Sequence, residues 1–194
     1  QEIVPIDTSV NIIGSSRTDK KVHAIEQVAQ IIIQSAFKPD DLKLKLNNIL
    51  PLDIRIQDIA ESNSKFMVIY HAKIKEYFYL FSNEKNQTEI QEKAETHIVN
   101  FVESLNFTAM NQACAYFQGQ HSFHNFQYRM NPNNTTIRNI FSCKIIKNPS
   151  YAPVRGYDIY SLEISGNGFL KQMVRIIMGT LINIGKGTTS QMKF

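Results

Sequence analysis

The sequence predicts a protein that mixes helices and strands, and three observations point there. Segments whose apolar residues recur every second position alternate along the chain with segments of helical spacing. Asn-rich stretches, "SNEKNQ" and "NPNNTT", punctuate these segments as loops. A hydrophobic content of 43% over 194 residues is enough for a sizeable core, in one domain or in two intimately packed halves.

The elements follow in order. The polar stretch "GSSRTDKKVHA", Gly14 to Ala24, sets one carboxylate among several cations. After it, "IEQVAQIII" is apolar and β-branched, which predicts a strand, with a short helix as the alternative that periodicity leaves open. "DDLKLKLNNIL" has Asp at a natural N-cap and stops before Pro51, as a helix would. "LDIRIQDI" alternates and predicts a half-buried strand. "FMVIYHAKIKEYFYLF" alternates over most of its length and predicts one long strand. Its expected core face carries Val68, Tyr70, Ala72, Ile74, Phe78 and Leu80, and its expected outer face Lys73, Lys75, Tyr77 and Tyr79.

Helical spacing of Ile90, Ala94, Ile98, Phe101, Val102 and Leu105 predicts a helix from Glu89 to Leu105, and a second runs from about Thr108 to a stop at Gly119. "IRNIFSCKII" and "YDIYSLEIS" predict two strands joined by "KNPSYAPVRG". A last helix is expected over roughly Phe169 to Ile184, apolar nearly all round. Arg175 lies on its back side beside Met178, Gly179 and Ile182, so a buried guanidinium needing a carboxylate partner is expected there. The alternative is that Arg175 snorkels to solvent beside Lys171.

Composition narrows the function classes. No run of about eighteen apolar residues predicts a membrane span, and the N-terminus lacks a signal-peptide pattern. Two cysteines, Cys114 and Cys143, are too few for a disulfide framework and suit a reducing, cytoplasmic setting. Without paired Cys spacing, His121 and His124 do not make a zinc motif, and no metal or cofactor is expected. The 21 basic against 17 acidic residues, a net charge of +4, favour an anionic partner modestly. The opening on "QEIVPIDTSVNII" without Met and the close on "GTTSQMKF" lead us to expect a fragment at both ends.

The ordered motifs "SRTDKKVHA", "LNNILPLDIRI", "AKIKEYFY", "GQHSFHNF" and "GNGFLKQMVRIIMGTLINIGKG" resemble the TruA-type tRNA pseudouridine synthases, from about Gly14 to Gly187. The resemblance implies an α+β pseudouridine synthase fold. Two α/β halves, 1–82 with the aspartate and the basic aromatic strand and 83–194 with the arginine helix, would share a mixed, mostly antiparallel sheet with a central cleft.

It also implies roles. Asp19 stands at the catalytic nucleophile of the Arg-Thr-Asp motif, Arg17 at its arginine, Tyr77 at the active-site tyrosine and Arg175 at the arginine that pairs with the aspartate. The expected reaction isomerises uridine to pseudouridine in the anticodon arm of tRNA, positions 38 to 40, by a homodimer. The chemistry suits these residue types. The base must leave its stack to react, an aromatic plane can receive it, and an ionised carboxylate held by a guanidinium can attack carbon. Arg17, Lys20, Lys21, Lys73 and Lys75 are expected to meet phosphates.

Taken singly, Asp19 reads as a turn former and Tyr77 as a sheet residue; only their joint occurrence with Arg175 lifts them. Four positions depart from the family pattern: Ser16 and Lys21 replace glycines, Ile69 an arginine, and Ser122 an acidic residue. The alternatives are a non-catalytic RNA-binding relative and a pseudouridine synthase with another RNA target.

Overall fold

The computed structural model describes residues 8–34, 36–84, 97–129, 135–148 and 158–189. The chain divides into two compact units, Gln1–Ala72 and Lys73–Phe194.

The first unit opens with strand β1, Val10–Gly14, antiparallel to β2, Ala29–Ile33, with Ile12 opposite Ile31. Helix α1, Pro39–Ile49, follows; Pro39 takes a first-turn position, and Asp40 and Asp41 lie in that turn, where a carboxylate meets the positive end of the helix dipole.

"LDIRIQDI" forms no strand, contrary to expectation. The Asn47 side chain of α1 takes both backbone groups of Ile56, its Nδ2 donating to the Ile56 carbonyl at 3.0 Å and its Oδ1 accepting from the Ile56 N–H at 2.8 Å. An amide thus replaces the partner strand, and no ladder propagates from Ile56.

The long strand expected over 66–81 is also divided. Val68–His71 forms the single helical turn α2, held where the Gln30 side chain accepts from the Val68 N–H at 3.2 Å and donates to the Phe66 carbonyl at 2.8 Å. The Phe66 and His71 rings meet at 5.2 Å.

The second unit is built on a five-stranded sheet ordered β4-β3-β7-β6-β5. Its strands are β3 Lys75–Ser82, β4 Val99–Asn100, β5 Gly119–Ser122, β6 Ile137–Lys147 and β7 Ile159–Gly166. Only the β3–β4 pair is parallel, so the sheet is mixed and mostly antiparallel, as expected for the α+β class. Val99–Asn100 is a strand rather than the end of a helix: Asn100 Oδ1 accepts from Ser82 Oγ at 2.9 Å and from the Glu84 N–H at 3.0 Å, which fixes the segment against β3. The start of that expected helix, 89–96, lies outside the described residues.

Helix α3, Phe107–Phe117, begins at Asn106, whose Oδ1 accepts from the Ala109 N–H at 3.0 Å. The last helix, α4, is Met173–Gly185. It starts later than expected because Gln172 sits in the left-handed region at φ 58°, which breaks the helical path and leaves 169–172 as a turn. The two helices lie on the inner sheet face around a core that includes Phe81, Met110, Phe117, Leu162, Ile164, Ile177 and Leu181. Gly185 permits their close approach, since a Cβ there would lie 2.7 Å from Met110 Sδ. Gly166 does the same beside the irregularity in β6, where a Cβ would lie 2.8 Å from the Asn139 carbonyl.

The face of β3 is inverted relative to expectation. Tyr77, Tyr79 and Phe81 point to the core, while Phe78 is 46% exposed, although Leu80 on that other face is buried. Register explains it. Tyr77 pairs with Ile164 and Tyr79 with Leu162, both buried, whereas Phe78 pairs with Glu163.

Candidate functional site

In the first unit, Asp19 belongs to the loop that joins β1 to β2. Gln27 Nε2 holds the start of this loop, donating to the Ser16 carbonyl at 2.9 Å, and the Ser15 N–H donates to the Val28 carbonyl at 2.9 Å. The Val22 N–H donates to the Asp19 carbonyl at 3.0 Å, and Lys21 has φ 66°, which closes a β-turn of type II form over Asp19–Val22. That turn type favours glycine at its third position, where this chain carries Lys21. Arg17, Asp19, Lys20 and Lys21 are all exposed. The carboxylate is thus presented at the first corner of a tight turn between cations.

In the second unit, Tyr77 is half-buried on the inner face of β3 and meets Phe169 edge to face, with ring centroids 5.0 Å apart and planes at 76°. Phe169 comes from the turn before α4 that Gln172 creates. Two residues beyond Tyr77 on the same face, burial pushes the Tyr79 phenol above its usual pKa, and the Arg175 charge pulls it back down. Arg175 therefore acts on the same stretch of β3 that carries Tyr77. Lys75 opens β3 half-buried, and the exposed Lys73 precedes it.

Arg175 itself is exposed, as is Gly179 one turn later, while Met178 and Ile182 are buried. The expected buried guanidinium is corrected by this. The apolar stripe of α4 turns Met173, Ile177, Met178, Leu181 and Ile182 inward and leaves the Arg175–Gly179 side open, so burial alone creates no demand for a carboxylate. Among the described residues Arg175 has no ion pair.

Tyr77 and Arg175 thus share one unit, while Asp19 lies in the other. Two contributors went unassigned as site residues at the level of sequence. Alternation along the sequence puts Tyr79 on the outer face, and helical spacing puts Phe169 in the apolar stripe of the last helix. The signal for both was present in the dyad spacing of Tyr77 and Tyr79 and in "GNG", Gly166–Gly168, just before Phe169. His121 is occupied locally, its Nε2 lying 2.7 Å from the Gln118 carbonyl. Among the described residues no three His, Cys, Asp or Glu side chains converge as metal ligands, and no helix is long and apolar enough to cross a membrane.

Residues 113–194 match the model of a family described as tRNA pseudouridine synthase. The chain is 38% identical over 178 residues to tRNA pseudouridine synthase A of Ruminiclostridium cellulolyticum, covering 92% of this chain and 69% of that protein. The protein of the same name from Caldicellulosiruptor saccharolyticus is 36% identical, with 92% and 68% covered. That from Caldicellulosiruptor bescii is also 36% identical, with 94% and 70% covered.

Proposed function

We propose a reaction for this chain from one premise: the chain belongs to the tRNA pseudouridine synthase family, and is therefore an isomerase. Its substrate is a uridine in the anticodon arm of tRNA, at positions 38 to 40. The bond between N1 of uracil and C1′ of the ribose breaks, the ring turns, and C5 bonds to C1′. C5 loses a proton and N1 gains one, so the product is an isomer and no redox partner or hydrolytic water is consumed.

Asp19 supplies the nucleophile, attacking either C6 of the base or C1′. Tyr77 offers the aromatic surface for the flipped base, and Arg175 is the cation that keeps the carboxylate ionised and aimed. Arg17, Lys73 and Lys75 meet backbone phosphates. The observation that carries the reading is the wall of the second unit. There Tyr77 meets Phe169 edge to face, and an exposed Arg175, without an ion pair among the described residues, acts on Tyr79 on the same face of the strand. An exposed guanidinium beside a partly open aromatic surface suits an anionic, base-bearing substrate.

The test compares Asp19→Asn with the unaltered chain at saturating tRNA. Turnover is expected to fall by about a thousandfold or more with tRNA binding retained, because the amide keeps the shape but does not attack carbon. Comparable turnover in both would make the carboxylate structural. Tyr77→Phe should retain base binding and Tyr77→Leu should lose about 1–3 kcal/mol of it. The cytoplasmic, homodimeric enzyme implied by the resemblance is part of the same proposal, and light scattering that returns a monomer would remove the dimer from it.

A further inference from the structure

Three described non-glycine residues have positive φ: Lys21, Arg129 and Gln172. Lys21 closes the Asp19 turn. The other two flank a single ring. Tyr128, 42% exposed, has the Arg129 guanidinium carbon 5.3 Å and Lys171 Nζ 5.4 Å from its ring centroid. Its backbone N–H donates to the Lys171 carbonyl at 3.0 Å, which ties the segment after the short helical turn His124–Phe126 to the turn before α4.

Two cations thus meet at one ring, and the backbone that brings them there is left-handed at Arg129 and at Gln172, the residue after Lys171, a conformation that costs non-glycine residues roughly 1–2 kcal/mol each. Both cations are exposed, and among the described residues neither has an acidic partner. Like charges gathered without a carboxylate repel each other, and the π face of Tyr128 offsets this only in part. Strain that concentrates unpaired charge is accounted for when a ligand of opposite charge takes it up.

We propose that Arg129, Tyr128 and Lys171 form a docking point for the phosphate backbone of the RNA substrate. This rests on the RNA-modifying reading above and adds to it a subsite outside the catalytic residues. Its position gives it a use. Lys171 lies between Phe169 and Arg175 in one short segment, so a strand whose base reaches the Tyr77–Phe169 surface carries its neighbouring phosphates past Lys171. The pair of cations recognises charge and spacing along the strand and reads no base.

The experiment measures tRNA affinity of the full chain against salt concentration for Arg129→Ala, Lys171→Ala, the double variant and Tyr128→Leu. Lys144→Ala serves as a control, since Lys144 pairs with Glu163 at 3.2 Å. Each single cation variant should lower the salt slope by about one and the double by about two, with unchanged thermal melts. In turnover assays the loss should fall on KM more than on kcat. Tyr128→Leu should weaken binding less than the double variant. A double variant with the slope of the Lys144→Ala control overturns the proposal, as does a loss confined to kcat. If the unaltered chain turns over tRNA while the double variant binds it unchanged, this subsite alone is overturned. If the unaltered chain does not bind tRNA, the enzymatic reading falls with it.

Discussion

The two units hold their shape by different means. Among the described residues the first unit buries Leu42 and Val68 and leaves Ile12 65% and Leu52 89% exposed, whereas the second encloses a contiguous core from Phe81 to Ile182. In the first unit, side-chain amides set the backbone path: Gln30 holds Phe66 and Val68, Asn47 holds Ile56, and Gln27 holds Ser16. Burial contributes about 25 cal/mol per Å² of apolar surface, and each hydrogen bond a net of about 1 kcal/mol. The Asp19 turn is thus carried by a few discrete polar contacts, while the Tyr77–Phe169 wall and the α4 helix of Arg175 rest on dense packing. One consequence is that substitutions far from either site should disturb the two very unequally.

The sharpest way to break the comparison is to hollow out each unit in turn. Phe81→Ala removes a fully buried ring that stacks on Phe107 and Tyr160, and should cost about 3–5 kcal/mol in denaturant unfolding. Leu52→Ala should stay within about 0.5 kcal/mol. Equal losses would show that the first unit's exposed apolar residues are packed in solution.

A second pair tests the amide clamps, because the same device occurs in both units. Asn111 of α3 donates to the Ile145 carbonyl at 3.0 Å and accepts from the Ile145 N–H at 2.8 Å, as Asn47 does for Ile56. Ile145 is buried and Ile56 only half-buried, so Asn111→Ala should cost about 1–3 kcal/mol and Asn47→Ala less, since water can reach the freed groups there.

Alkaline pH should act on the second unit through Tyr79 and Cys143. Burial raises the Tyr79 pKa; contact with the Cys114 thiol, together with burial, raises that of Cys143. Both favour the protonated form in the fold. Their contribution is complete below the ordinary thiol and phenol values and is lost as pH climbs above them toward the folded-state values. Unfolding midpoints should begin to fall near about pH 8.5 through Cys143 and fall more steeply above about pH 10, where Tyr79 joins, and Tyr79→Phe should flatten only that upper part.

The smallest effect is expected at the Asp19 turn. Lys21→Gly relieves a left-handed residue but frees the unfolded chain, for a net gain of roughly 0.5 kcal/mol or less by thermal melt. A loss of stability would mean that the Lys21 side chain is held by contacts.

Much of the fold was legible because long elements carry their own period. The α3 helix, the β6 and β7 strands and the body of α4 were read from apolar spacing and turn residues, and the ordered motifs carried the family. Short-range pattern misled where both alternating sets carried aromatic or apolar residues, as over Tyr77–Phe81. In "FMVIYHAKIKEYFYLF" either face could serve as core by composition, and the segment also had to yield Val68 to Gln30, a partner 38 positions away. The site was legible as residue identities and not as surroundings. Asp19, Tyr77 and Arg175 were named from motifs, but Phe169 and Tyr79 became visible only once β3 had a register and α4 a starting point.

By itself, then, the sequence determined which chemistry-bearing groups the chain owns and in what order, since these follow from side-chain identity and local spacing. Tertiary structure alone decided that β3 turns Tyr77 inward, that Ile56 joins no sheet, that Arg175 stays exposed, and that Arg129 and Lys171 meet at one ring. Apart from the Asn47–Ile56 clamp, which spans nine residues, each of these depends on a partner distant in sequence. Hydrogen-bond register, the bend at a left-handed residue and the area removed from water are set when two segments meet, and no window along one segment contains them.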